Sequence, residues 1–192
     1  MFLLGHIGIS IGIIYMLACF IYFRKEKDDP GISSVGSVDY RIIIVAAILP
    51  DIIDKIVGMI IFKEEISNGR LFTHSIIILG IFSICLLTLA KVQFGSLLRT
   101  SIYLLPLYIH LLLDRMWEET HTLFWPFLGL GFPRLDVEFG DYFTFLLSDP
   151  YIFVGEILGT FIIITLFIRH RLFTRMNLFN FLRDGRLKDY DF

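Results

Sequence analysis

Cysteine is scarce in this chain. The two present, Cys19 and Cys85, both fall inside apolar runs and show no paired spacing, which excludes a disulfide framework or a thiolate metal site. Both positions fit plain core or lipid contact. Clustered positive charge is lacking as well. Lys and Arg number 17 against 19 Asp and Glu, for a formal net charge of -2. No basic stripe is interleaved with aromatics, so no nucleic-acid partner is expected. Internal repeats and low-complexity tracts are absent from the sequence. No basic segment precedes the first apolar run, Phe2 to Phe23. A secretory signal has such a segment and a shorter apolar stretch, so this run is expected to remain as a mature membrane helix. Leu17-Ala18-Cys19 faintly resembles a lipoprotein cleavage site, and the missing basic start argues against it.

What is abundant is apolar sequence. Hydrophobic residues make up 56% of the 192, and the mean hydropathy is +0.73, too apolar for an ordinary soluble domain. A spanning helix needs about 20 mostly apolar residues. Five runs qualify, at roughly 2–23, 41–62, 71–90, 96–114 and 151–168. The fold class expected is therefore all-α, a polytopic transmembrane bundle of about five spans. Residues 1–168 form its membrane domain and 169–192 a basic cytoplasmic tail. The longest connection, 115–150, holds Leu123-Phe124-Trp125-Pro126-Phe127-Leu128. It is too short to cross, so it reads as an interfacial or re-entrant segment with Trp125 at headgroup level. Threading with the N-terminus outside puts Arg24, Lys25, Lys27, Arg41, Lys91, Arg99 and the arginines of the tail on one side. Only Lys63, Arg70, Arg115 and Arg134 stay on the other. The positive-inside rule then sets the N-terminus outside and the C-terminus in the cytoplasm.

Against this apolar background, ionisable residues stand out, because a buried charge in a membrane is costly and marks a functional site by default. His6, Asp51, Asp54, His74, His110 and Asp114 lie within or at the edge of the runs. Alternate threading brings all six toward the same, outer face, with Glu156 a turn into the fifth run. Asp51 and Asp54 are i,i+3 and His110 and Asp114 are i,i+4, so each pair shares a helix face. Pro50 is expected to kink the second helix just before Asp51. Imidazole and carboxylate without thiolate suit a divalent metal: zinc first, manganese or iron next. Six candidates exceed the three or four ligands of one ion, leaving room for a second ion or for supporting partners. His121 and Glu118 follow the fourth run and fit either the site or a polar surface. His170, between Arg169 and Arg171, reads as an interfacial charge on the opposite side.

The ordered pieces resemble the YdjM-like membrane-bound metal-dependent hydrolases. They are Gly5-His6, Leu49-Pro50-Asp51-Ile52-Ile53-Asp54-Lys55, Gly69-Arg70-Leu71-Phe72-Thr73-His74-Ser75, His110-Leu111-Leu112-Leu113-Asp114-Arg115-Met116-Trp117 and Leu123-Phe124-Trp125-Pro126-Phe127. Together they cover about residues 5–128. The resemblance implies a bacterial or archaeal inner-membrane protein, a distant likeness to zinc-dependent phospholipase C, and the six His and Asp residues as metal-site candidates. The sequence departs from many members at Gly69, where they carry His, and in having two residues rather than one between the aspartates.

The expected activity is hydrolysis at the outer membrane–water interface by a metal-activated water, with membrane lipids as partners and a phosphoester lipid as substrate. Asp54 or Asp114 would be the base. Arg70, four residues before His74, would clamp a phosphate. No local spacing fixes a base beside Ser75, so a serine hydrolase is not expected. The alternative is a metal or proton transporter using the same residues, although the absence of a repeat disfavours a repeat-built transporter. A purely structural membrane protein would not need so many inward polar groups.

Overall fold

The computed structural model describes residues 2–24, 38–93, 97–134, 144 and 148–187. Among them every regular element is helical. The order is α1 (Leu3–Arg24), α2 (Tyr40–Lys55), a π-helical stretch (Ile56–Ile61), a 3-10 turn (Phe72–His74), α3 (Ile76–Gln93) and α4 (Leu97–Leu113). A short α5 (Thr120–Leu123), α6 (Pro150–Arg169) and α7 (Arg175–Asp184) complete it.

Among the described residues two helices are long and apolar enough to cross a membrane, over Leu3–Ile21 and Pro150–Arg169, while Ile76–Val92 and Leu97–Leu113 are shorter apolar helices. The expected second and third runs are cut down. The second ends as an α-helix at Lys55 and continues only as π-helix. Helix in the third begins at Ile76, because residues 71–75 are held in another conformation by side chains of α2: the Leu71 and Thr73 amides donate to Asp54, and the Thr73 hydroxyl donates to the Pro50 carbonyl.

α6 begins where Asp149 accepts from the Tyr151 amide and Pro150 opens the first turn, two features that favour a helix start. Only 11% of its apolar window is buried. Phe153, Val154, Ile157, Leu158, Phe161 and Ile164 face outward, as a lipid-facing helix requires and a soluble core helix does not.

α1 and α6 run parallel and form the most extensive helix pair. Small residues allow it. A Cβ on Gly8 would lie 2.1 Å from the Gly159 carbonyl oxygen, and one on Gly159 would lie 2.3 Å from that of Leu4. Such backbone contact is typical of helices packing where lipid replaces water. The Glu156 carboxylate ties the two helices at one end, accepting from the amides of Phe2, Leu4 and Gly5, which have no helical acceptor of their own.

Two apolar clusters fill the interior. One, around Ile14, Tyr40, Ile43 and Ile102, includes Leu187 from beyond α7, with Leu172 and Phe181 packed on it. The other, around Ala46, Leu79, Leu107, Leu111 and Met116, sits below the polar end of the bundle. The tail is anchored as well as packed: Arg41 donates to the Leu182 and Arg183 carbonyls, and the Tyr40 amide donates to Gly185. His170, expected as an interfacial charge, is instead fully buried, edge-on to Tyr15 with ring centroids 5.5 Å apart. It ends α6 where the helix turns back to the core.

The segment 123–132 folds onto the turn that bears His74. Ser75 Oγ donates to the Trp125 carbonyl, and Phe72 lies edge-on to Trp125 and Phe132 at 5.0 and 4.9 Å.

Candidate metal centre

The C-terminal ends of α2 and α4, the start of α1 and the 3-10 turn meet at one end of the bundle. Asp51, His74, His110 and Asp114 converge there, each offering one ligand atom, and the four atoms lie within 4.8 Å of one another. The Nε2 atoms of His74 and His110 are 3.2 Å apart. Asp51 Oδ1 is 3.7 Å from the first and 3.8 Å from the second, and Asp114 Oδ2 is 3.6 Å from His74 Nε2. Tetrahedral donors about 2.0–2.1 Å from an ion are themselves roughly 3.3 Å apart, so most of these spacings fit one divalent cation with small adjustment.

The protonation pattern also fits. His110 Nδ1 is 2.8 Å from the Ala47 carbonyl; a carbonyl only accepts, so this nitrogen carries the proton. His74 Nδ1 is 2.7 Å from Asp54 Oδ2, an oxygen that also accepts from the Leu71 amide at 2.5 Å, so it too is the donor. In their neutral form both imidazoles would therefore turn Nε2 lone pairs toward the same point, the arrangement by which outer partners fix metal-binding histidines. Pro50 contributes indirectly. It deprives the Ala46 carbonyl of its helical donor next to the turn whose Ala47 carbonyl binds His110.

The remaining sequence candidates occupy distinct places. Asp54 is fully buried and, with three donors on its two oxygens, serves His74 and the 3-10 turn rather than the centre. Those bonds turn its carboxylate toward the turn and the back of His74. His6 donates from Nε2 to Asp114 Oδ1 at 3.0 Å and stacks on His110 with centroids 4.0 Å apart, so it borders the four without joining them. Glu156 is committed to the amides that start α1. Arg70 Nε lies 3.3 Å from Asp114 Oδ2. Glu118 pairs with Arg115, and the Gly129 backbone lies beside His121.

Sequence reasoning passed over Lys55, whose Nζ donates to Asp51 Oδ2 at 2.9 Å and leaves Oδ1 for the centre. The i,i+4 spacing of Asp51 and Lys55 was the available signal. Tyr151 was missed too. Its hydroxyl donates to the Leu113 carbonyl at the end of α4, and it helps line a cavity of about 170 Å³ with Arg70, Asp114, Arg115, Glu119 and Asp149. The cavity reaches the centre from the Asp114 side.

An all-helical, membrane-type protein with a buried His–Asp constellation able to hold a divalent ion is the class these features define. A family model described as YdjM inner membrane protein matches residues 1–178, and the chain belongs to that family. No curated protein and no solved structure matches it, so the expected likeness to phospholipase C gains no support.

Proposed function

We propose that this chain is a multi-pass, metal-dependent hydrolase of the bacterial or archaeal inner membrane, acting on a phosphoester lipid at the outer membrane–water interface. The observation that carries the reading is the pair of imidazoles whose Nδ1 protons are held outward by Asp54 and Ala47 while both Nε2 atoms face Asp51 and Asp114. In this reading α2, α3 and α4 accompany α1 and α6 across the bilayer, with the centre on the side where α1 and α6 begin.

His74 Nε2, His110 Nε2 and Asp51 Oδ1 would hold the ion; zinc suits this nitrogen and oxygen set best, with manganese or iron next. When bound, such an ion supplies Lewis acidity, polarising a phosphoryl oxygen and lowering the pKa of water toward about 7. Asp114 faces the cavity beside Arg70 and takes the proton of the attacking water at Oδ2. The His6 bond to Oδ1 keeps the carboxylate in that orientation. Arg70, a third of its side chain exposed, donates to a phosphate oxygen and balances the charge that develops there. A cavity of about 170 Å³ admits a headgroup while acyl chains stay in the bilayer.

The test is direct. The detergent-purified protein is assayed for bound metal and for release of phosphate or diacylglycerol from a panel of phospholipids, alongside His74→Ala and Asp51→Ala. Stoichiometric metal lost in both variants, with turnover that depends on it, is the expected result. Absence of bound metal under metal-replete conditions overturns the reading. Ion flux into liposomes without lipid cleavage would replace it with transport.

A further inference from the structure

The end of the bundle remote from the metal centre carries a surface that the proposed chemistry does not use. Between 169 and 187 the chain has Arg169, Arg171, Arg175, Arg183 and Arg186 against a single acid, Asp184. Within this stretch α7 is a short helix with a defined start and stop. Thr174 accepts from the Asn177 amide, and Gly185 closes the helix at φ 69°. One face of α7 is exposed and apolar: Met176 is 69% exposed, Phe179 60% and Leu182 61%, with Leu178 at 40%. Phe173, just before the helix, is 63% exposed. Arg175 and Arg183 stand at the two ends of the same face. The opposite face, with Asn177, Asn180 and Phe181, is half-buried toward the bundle.

Position decides what covers this face. α6, one of the two helices suited to cross a membrane, ends at Arg169, and only residues 170–174 separate it from α7. A helix so close to the end of a span lies at headgroup depth. Its place is also fixed, because Arg41 at the start of α2 holds the Leu182 and Arg183 carbonyls and the Tyr40 amide holds Gly185. Large apolar side chains flanked by arginines are the composition of an in-plane helix. There the apolar face enters the acyl boundary while guanidinium groups reach back to headgroup phosphates.

We propose that α7 lies in the membrane plane on an anionic leaflet, with Phe173, Met176, Phe179 and Leu182 in the acyl boundary and Arg169, Arg171, Arg175 and Arg186 on acidic phospholipid headgroups, Arg183 being paired with Asp184. The excess of cations makes the partner an anionic lipid surface rather than a neutral one. It also puts the metal centre at the opposite leaflet. This inference does not depend on the hydrolase reading.

The experiment uses the full chain in nanodiscs of phosphatidylcholine alone or mixed with phosphatidylglycerol. Single cysteines replace Met176, Phe179 or Leu182 in a background with Cys19→Ser and Cys85→Ser, and each carries a nitroxide label. Collision with oxygen should exceed collision with a water-soluble nickel chelate at all three positions, more so with phosphatidylglycerol present. Arg175→Gln combined with Arg186→Gln should abolish the dependence on phosphatidylglycerol while circular dichroism shows unchanged helix content. Greater access to the nickel chelate overturns the proposal. So does label-to-label broadening, which would mean that a second copy covers the face. Equal immersion in both disc types overturns the anionic preference.

Discussion

His74 and His110 are 36 residues apart in sequence, yet their Nε2 atoms are 3.2 Å apart and each ring is held from behind through its other nitrogen. Two facing imidazole lone pairs repel in the absence of a shared proton or cation, so such a pair persists only where the surroundings impose it. Here they are imposed from two directions: Asp54 locks the first ring to the turn that carries it, and Ala47 locks the second to the neighbouring helix.

Asp54→Asn tests that imposition. The replacement keeps the volume but alters the acceptor of the His74 Nδ1 proton and of the Leu71 and Thr73 amides. Loss of an outer partner of a metal-bound histidine typically costs about 10–100-fold in metal affinity. Competition titration against a fluorescent chelator should show a weakening in that range. Unchanged affinity would mean that Asp54 serves the turn alone.

The contact between α1 and α6 predicts a contrast between neighbouring positions. Gly8→Ala drives a methyl group into the Gly159 backbone, which neither helix can relieve without moving apart. Overpacking of this kind costs about 1–3 kcal/mol, and thermal unfolding in detergent should fall accordingly. Ser10→Ala, two residues on, removes a buried hydroxyl whose oxygen has no hydrogen-bond partner among the described residues. It should be neutral or slightly stabilising, because no partner is left unsatisfied. A reversed order of the two melting temperatures would refute this view of the helix contact.

The sequence made the centre legible to the extent that it is built from residue type and helix periodicity. Asp51, His110 and Asp114 follow from apolar runs, i,i+3 or i,i+4 spacing and alternate threading, and His74 from its place at the head of a run. What periodicity could not reveal was how each polar group spends its hydrogen bonds. Asp54 differs from Asp51 only in meeting the amides of a non-helical turn, and Glu156 differs from a ligand only in facing the bare amides of α1. Both depend on backbone conformation more than a dozen residues away. The shortened third run has the same origin, since hydropathy does not register that Asp54 and Pro50 hold residues 71–75 out of the helix. His170 was misread because flanking arginines say nothing of a chain that folds back to bury it.

At the other end of the bundle, acid should loosen the tie between α2 and the tail. Asp39 caps α2, and its carboxylate meets the Arg41 guanidinium; that contact holds its pKa below the usual 3.8. A carboxylate with a depressed folded-state pKa contributes stability in full above its ordinary value and loses it as pH falls through the folded one. Asp39→Asn should therefore lower thermal stability relative to the parent at neutral pH, and the gap should close only below about pH 4. A gap that closed near pH 6 would implicate histidine instead.

Metal dependence of stability makes the last prediction. An ion bound by the folded chain alone adds RT ln(1 + [M]/Kd), about 2.7 kcal/mol at a hundred times Kd. Zinc should raise the melting temperature of chelator-stripped protein, with a logarithmic dependence on concentration that does not saturate above Kd. In Asp51→Asn, where Lys55 Nζ loses the charge of its partner and the centre one carboxylate, the zinc response should shrink while that of Glu156→Gln is retained. Glu156→Gln should instead lower the metal-free baseline, because the amides of Phe2, Leu4 and Gly5 lose their ionised acceptor. If Glu156→Gln abolished the zinc response and Asp51→Asn spared it, the ion would have been assigned to the wrong residues.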